Sequence, residues 1–122
     1  MILVDTSVWV DHLSAGDKAL SSMLDAGTVL AHPFVIGELA LGNLRQREIV
    51  LSALSNLPHA SVATDAEVLR FIDRHALSGR GIGYVDAHLL AAARLTAGAE
   101  LWTNDKRLHG VAVQLGLAIA LR

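Results

Sequence analysis

Four acidic residues in this sequence have apolar surroundings, which is an unusual setting for a carboxylate. They are Asp5, Glu38, Asp86 and Asp105. Asp5 and Asp105 closely follow short apolar runs, and the other two have mostly apolar or glycine neighbours three and four residues away, which is the spacing of one helix face. A carboxylate among apolar groups is costly unless it is hydrogen-bonded, paired or bound to a cation. These four positions are therefore the candidates for chemistry.

Each of the four acids also has a purely structural interpretation. Asp5 and Asp105 each precede a segment that can be helical, where an aspartate side chain accepts from the first backbone N–H groups. Asp86 lies near the start of a helix, where its charge complements the helix dipole. Taken one at a time, Asp5 and Asp86 fit this structural interpretation better than a functional one.

Glu38 is the hardest of the four to explain structurally, because it lies in the middle of a predicted helix on an apolar surface. A buried ion pair with Arg45 or Arg47 is the structural alternative. By contrast, Asp65 and Asp73 share their predicted helix with arginines, and this pattern is typical of a solvated helix face.

The elements that must position these acids alternate between strand and helix patterns. A capping box at Thr64–Glu67 opens one helix, and further helices are predicted at 17–26, 33–41, 44–54 and 84–97, with a short one from Lys106. Strands are predicted at 2–4, 28–31, 60–63, 100–103 and 117–121. This alternation predicts an α/β fold in which a central parallel sheet of about five strands has helices on both faces.

The predicted sheet brings the four acids together. Ligands of open parallel sheets bind beyond the carboxyl ends of the strands, and Asp5 and Asp105 follow two such ends. Clustered carboxylates raise one another's pKa unless a cation neutralises them, and oxygen ligands without His or Cys select Mg²⁺ or Mn²⁺. The four acids therefore indicate a metal site for phosphate chemistry.

Four segments that contain these acids resemble the PIN-domain ribonucleases, and among them the VapC-like toxins of bacterial type II toxin–antitoxin pairs. The segments are ILVDTSVWVD, VIGELALG, YVDAHLLAAA and LWTNDKRL. The resemblance covers the whole chain, so it implies a single PIN domain over residues 1–122 with a three-layer α/β fold. It also implies a Mg²⁺-dependent endoribonuclease that hydrolyses RNA phosphodiester bonds and is inhibited by a cognate VapB-like antitoxin.

The resemblance assigns roles to individual residues. Asp5, Asp86 and Asp105 would hold Mg²⁺, with Mn²⁺ as a substitute, and Glu38 would position the metal or the attacking water. Polar side chains at matching positions would support the site: Thr6, Thr103 and, with less specific matches, Asn104 and Ser7.

One departure from the family pattern lies just after Asp105. Many relatives carry a further acid in this stretch, whereas this chain has Lys106 and Arg107. Either four acids suffice or metal affinity is weakened, and the two cations are candidates for contacts with RNA phosphates. Arg80, in a glycine-flanked loop before Asp86, is a third candidate for such a contact, or a plain solvated side chain.

Composition sets further limits on the function. The 122 residues include no cysteine, which excludes disulfides and thiolate metal sites. The net charge of −2 alone disfavours nucleic acid as a partner, but without the four acids, eight acidic residues face ten basic ones and the remainder is +2. The chain is 52% hydrophobic and shows neither a membrane span nor an export signal, so a cytoplasmic protein is expected. The apolar surplus then predicts a homodimer face and a groove for the antitoxin.

Other functions compete with this interpretation. A PIN-domain nuclease of RNA processing is the nearest alternative. An aspartyl phosphatase needs a second aspartate two residues after Asp5, where Ser7 stands, and a non-enzymatic phospho-acceptor domain leaves Glu38 and Asp86 without a role. The six histidines show no zinc-binding spacing, and Trp9 and Trp102 are expected to pack in the core or against a partner.

Overall fold

The computed structural model describes residues 1–120 of the chain, in which each of three strands is followed by one or more helices. The elements in chain order are β1 (Ile2–Val4), α1 (Thr6–Ala15), α2 (Lys18–Asp25), β2 (Val29–Leu30), α3 (Pro33–Ala40), α4 (Arg47–Ser55), α5 (Asp65–Arg74), α6 (Tyr84–Leu95), β3 (Glu100–Trp102) and α7 (Lys106–Gln114). None of these helices is both long enough and apolar enough to cross a membrane.

The strands form a parallel sheet in the order β2-β1-β3. Beyond each edge strand, one residue of a further segment makes a single parallel bridge: His59 pairs with Ala31, and Ala118 pairs with Leu101. The prediction of a parallel α/β sheet is confirmed, but residues 1–120 contain three strands, and the other two predicted strands are reduced to these bridges.

The course of the partner chain explains why the predicted strand 60–63 does not form. The N–H of Ala60 still donates to the carbonyl of Ala31, but the chain after Ala31 turns into α3 at Pro33 and offers no further partner. The N–H of Ser61 points to the other side, away from β2, and donates to the side-chain oxygen of Thr96 at 2.8 Å. The ladder therefore stops after one bridge. In the predicted strand 117–121, residues 117–120 lie in the described part of the chain, and Leu121 lies outside it.

Helices cover both faces of the sheet. Successive strand residues point to opposite faces, and Leu3 and Val4 of the central strand are both fully buried. On β3, Leu101 and Trp102 are buried in the same way. This burial on both sides accords with the three-layer arrangement expected for a parallel sheet. Trp9 is also buried, so both tryptophans pack in the core.

The helix starts follow local sequence signals closely. Thr64 and Glu67 form the predicted capping box, with the Thr64 oxygen accepting from the Glu67 N–H and the Glu67 carboxylate accepting from the Thr64 N–H. The helix predicted over 44–54 begins later, at Arg47, because Gln46 has a φ of 51° and lies in the left-handed region.

The sheet brings two predicted site segments to one edge. β1 and β3 are neighbours and parallel, and the N–H of Asp5 donates to the carbonyl of Trp102 at 2.9 Å. The residues that follow the two strands therefore lie side by side. Helix α3 begins three residues after β2, and it carries Glu38.

Candidate active site

Asp5 is held by hydroxyl groups at the carboxyl ends of β1 and β3. Its side chain is only 6% exposed, and its Oδ2 accepts hydrogen bonds from Ser7 Oγ and Thr103 Oγ1, each at 2.7 Å. Asp5 occupies the N-cap position of α1, but its side chain makes no capping hydrogen bond. The structural interpretation of Asp5 as a side-chain cap is therefore wrong, because the two hydroxyls direct its carboxylate toward β3.

The same two hydroxyls also bind the segment that follows β3. Ser7 Oγ accepts from the N–H of Asn104 at 3.0 Å, and Thr103 Oγ1 accepts from the N–H of Asp105 at 3.0 Å. The two oxygens lie 3.3 Å apart. Thr103 thus takes the supporting position expected of it, and Ser7, which had the weaker sequence signal, makes an equally short bond to Asp5.

Asp86 lies within electrostatic reach of the other three acids. Its pKa is raised above the ordinary value for an aspartate, chiefly by burial and then by the negative charges of Asp5, Asp105 and Glu38. A hydrogen bond from the N–H of Gly83, at 2.9 Å, opposes this rise. Asp86 therefore serves as a capping residue of α6, and its ionised form is also repelled by three further carboxylates.

Glu38 differs from its prediction in one respect. It is exposed rather than set in an apolar surface, and its Oε1 accepts from Thr6 Oγ1 at 2.6 Å. Among residues 1–120, neither Arg45 nor Arg47 forms an ion pair with it. The alternative of a buried ion pair is wrong, because the Glu38 side chain is turned toward the start of α1, where Thr6 binds it.

Asp105 is exposed and does cap a helix. Its Oδ1 accepts from the N–H of Leu108 at 2.9 Å at the start of α7. The neighbouring Asn104 uses its side chain elsewhere, since its Nδ2 donates to Oδ2 of Asp11 at 2.8 Å. Asn104 therefore supports the site through its backbone N–H rather than its amide group.

The four carboxylates share one property that suits cation binding. Each has one oxygen in a hydrogen bond, and within residues 1–120 its second oxygen has no hydrogen-bond partner. Oxygen donors of this kind fit a hard divalent cation. In the described chain, however, no three acidic or histidine side chains are close enough to hold an ion as they stand. An ion bound by three of them would require the carboxylates to rotate toward it.

Comparison with known proteins shows the family to which this chain belongs. The pattern of the PIN domain matches residues 2–114 of the chain. The chain belongs to the PIN-domain family. It is 51% identical over 120 residues to Ribonuclease VapC32 of Mycobacterium tuberculosis, in strains CDC 1551 / Oshkosh and ATCC 25618 / H37Rv. The alignment covers 98% of this chain and 97% of the relative. The resemblance inferred from the four sequence segments is confirmed.

The cations predicted for RNA phosphates lie at different places on the PIN domain. Lys106 lines the same opening as Asp105. Arg80 donates to Gln114 Oε1 at 2.7 Å, and the Arg107 side chain lies over Gly81, 2.9 Å from where a Cβ there would stand. Among residues 1–120 none of the three forms an ion pair with an acid. The structure therefore leaves all three positive charges without an acidic partner within residues 1–120, and it places Lys106 in the opening that Asp105 also lines.

A polar network on the PIN domain was missed by the sequence interpretation. Asp65, which looked like part of a solvated face, has a side chain 80% exposed, yet its Oδ1 accepts from Tyr84 OH at 2.9 Å and lies 3.1 Å from His88 Nε2. His88 is almost fully buried, and its ring packs against Phe34 of α3 with centroids 4.6 Å apart. This network links α5, α6 and α3, and the last two carry Asp86 and Glu38.

The signal for this network lay in the spacing of α6. Tyr84 and His88 are four residues apart, so they share one helix face, and their rings meet edge to face at 4.7 Å. A buried histidine on that face needs a polar partner. The sequence does not show that the partner would come from α5, because that contact depends on how the two helices pack.

Proposed function

We propose that this PIN domain is a divalent-metal-dependent endoribonuclease that acts as the toxin of a type II toxin–antitoxin pair. The observation that carries the proposal is the gathering of four acids at one edge of the sheet: Asp5 and Asp105 follow the neighbouring strands β1 and β3, and Thr6 binds Glu38 beside Asp5. The raised pKa of Asp86, caused by burial and by the charges of Asp5, Asp105 and Glu38, agrees with this gathering. Like charges gathered at one edge of a sheet are unfavourable unless a cation joins them. The 51% identity to a ribonuclease over nearly the full length of both chains supports the same activity.

The residues present fit a resident divalent cation, and we assign Mg²⁺ to the site, with Mn²⁺ as a substitute. Asp5, Asp86 and Asp105 would hold it with the carboxylate oxygens that carry no hydrogen bond within residues 1–120. When bound, the ion lowers the pKa of water and stabilises negative charge on phosphate oxygens.

The remaining side chains orient these acids. Thr103 and Ser7 direct the Asp5 carboxylate, because both donate to the same oxygen. Thr6 binds one oxygen of Glu38, which leaves the other to orient the attacking water. In the reaction, the water oxygen forms a bond to phosphorus, the bond from phosphorus to the leaving oxygen of the RNA backbone breaks, and the leaving oxygen takes up a proton.

The partners follow from the toxin role. RNA is the substrate, and a small VapB-like antitoxin is the inhibitor, as the name of the relative suggests. Apolar side chains exposed on and beside α3 and α4 support an interface: Leu41 is 91% exposed and Ile49 is 67% exposed. We propose that such surfaces form a homodimer face and the antitoxin groove, and that the protein acts in the cytoplasm.

The test is the cleavage of defined RNAs by the full chain with Mg²⁺, with Mn²⁺ and with EDTA. The Asp5→Ala and Asp86→Ala variants are compared with Asp73→Ala, which removes an exposed acid from α5. We expect cleavage to require metal and to fall about 100-fold or more in the first two variants only. Equal cleavage by all three variants would exclude the four-acid site, and cleavage unaffected by EDTA would exclude the metal.

The toxin role needs a separate measurement in cells. Expression of the wild-type chain is expected to arrest bacterial growth, whereas expression of Asp5→Ala at the same level is not. Growth arrest by both proteins, or by neither, would contradict the toxin role without affecting the assignment of the nuclease.

A further inference from the structure

A groove begins at the candidate active site and continues along α7. It has a volume of about 720 Å³, and the segment Thr103–Asp105 lines one end. Lys106, His109 and Val113 of α7 form one wall, and the groove is also lined by Trp102, Gly116, Ala118, Ile119 and Ala120. The groove is therefore continuous with the position of Asp105 but extends well beyond the four acids.

The wall formed by α7 is a single helix face. Lys106, His109 and Val113 are spaced by three and four residues, so their side chains lie along one stripe. At about 1.5 Å of rise per residue, His109 lies roughly 6 Å and Val113 roughly 12 Å along the helix from Asp105. This length is more than the spacing of about 3.4 Å between stacked nucleotides, so it leaves room for a phosphate and an unstacked base.

The lining of the groove changes from charged to apolar along its length, as a nucleotide changes from its phosphate to its base. Lys106 supplies a positive charge beside Asp105, and in the described chain it forms no ion pair. The exposed imidazole of His109 follows, and then the groove becomes apolar at Val113 and Ile119. A cation suits a phosphate, and a flat ring next to apolar side chains suits an unstacked base.

We propose that this groove binds the segment of single-stranded RNA adjacent to the bond that is cleaved. Lys106 contacts a backbone phosphate, and His109 and Val113 receive a base. This inference rests on the proposed function, and it adds which residues of α7 bind the RNA beside the cleaved bond. A duplex would not present an unstacked base to the groove.

The test measures kcat and KM for cleavage of a single-stranded oligoribonucleotide by the full chain. The variant Lys106→Ala has a matched control in Lys18→Ala, because each lysine is the first residue of a helix and directly follows a capping aspartate. We expect a higher KM for Lys106→Ala alone. We also expect its log KM to depend less steeply on log salt by about 0.7, the contribution of one phosphate contact on a single strand.

The base contact is tested by exchange of the flat ring. His109→Ala is expected to raise KM about 5-fold or more with kcat nearly unchanged, and His109→Phe is expected to restore it, since stacking does not need the imidazole nitrogens. Val113→Asp should raise KM as well. Leu69→Asp is its control, because Leu69 and Val113 are both 57% exposed and lie on different helices.

The outcomes separate this inference from the proposed function. If the wild-type chain cleaves no RNA with metal, both fail. If it cleaves normally while the Lys106, His109 and Val113 variants match their controls in KM, the groove does not bind substrate and only this inference is overturned. A changed oligomeric state or antitoxin affinity for Val113→Asp with an unchanged KM would also overturn it, since the groove would then bind a protein.

Discussion

Replacement of Thr103 by valine tests the hydroxyl pair that holds Asp5. Thr103 is buried, and its hydroxyl donates to Oδ2 of Asp5 at 2.7 Å while accepting from the N–H of Asp105 at 3.0 Å. Valine has nearly the same shape but cannot make either bond. A hydrogen bond to a charged group contributes about 1.5–3 kcal/mol, so Thr103→Val should lower the free energy of unfolding by about 2 kcal/mol.

The matched variant is Thr103→Ser, which keeps the hydroxyl and loses one methyl group. Loss of that methyl should cost about 0.8 kcal/mol. We expect urea unfolding in EDTA to show Thr103→Val as the less stable of the two by about 1 kcal/mol. RNA cleavage should fall about 10- to 100-fold in Thr103→Val and change little in Thr103→Ser, because the hydroxyl orients Asp5.

A double-mutant cycle attributes the effect to Asp5. In the Asp5→Ala background the hydroxyl of Thr103 has lost its acceptor, so Thr103→Val should cost at least about 1 kcal/mol less there than in the wild-type chain. The reasoning is refuted if Thr103→Val and Thr103→Ser are equally stable, or if Thr103→Val has the same cost in both backgrounds.

Three further predictions concern other parts of the site. Because the pKa of Asp86 is raised, its ionised form lowers the stability of the protein above that pKa, and this cost disappears as the pH falls through it. Urea unfolding of the metal-free protein should therefore show Asp86→Asn as more stable than the wild type at pH 7 but not at low pH. A less stable variant at pH 7 would contradict this. Asp65→Ala should lower the free energy of unfolding by about 1–3 kcal/mol, because the buried His88 loses its partner. Asp73→Ala, on the same helix, should change it by no more than about 0.5 kcal/mol. Equal unfolding midpoints for the two variants would exclude the network. Gly81→Ala and Gly79→Ala should each lower the free energy of unfolding by about 1–2 kcal/mol, because both glycines have positive φ. Only the new methyl group at position 81 meets an arginine side chain, that of Arg107. KM for RNA should therefore rise only in Gly81→Ala if Arg107 contacts phosphate.

The parts of the fold that depend on neighbouring residues were predictable from the sequence. The capping box at Thr64 and the approximate bounds of α2, α3 and α6 follow from local signals of a few residues. The extent of the sheet was not predictable in this way. The segment after His59 has the apolar character of a strand, but it pairs through one bridge only, because the chain that follows β2 turns into α3 at Pro33.

The sequence by itself singled out four acids by their apolar neighbours along the chain, and its four motifs were sufficient to indicate the PIN family. Tertiary structure decided what those acids do with their oxygens. Asp5 and Asp105 have the same local option, a helix N-cap, yet only Asp105 uses it, while Asp5 binds a threonine 98 positions away. Both options satisfy a carboxylate locally, so the choice depends on which hydroxyls the parallel pairing of β1 and β3 brings alongside. In the same way, the packing of α5 against α6 makes the exposed Asp65 the partner of the buried His88, which its own sequence neighbours did not indicate.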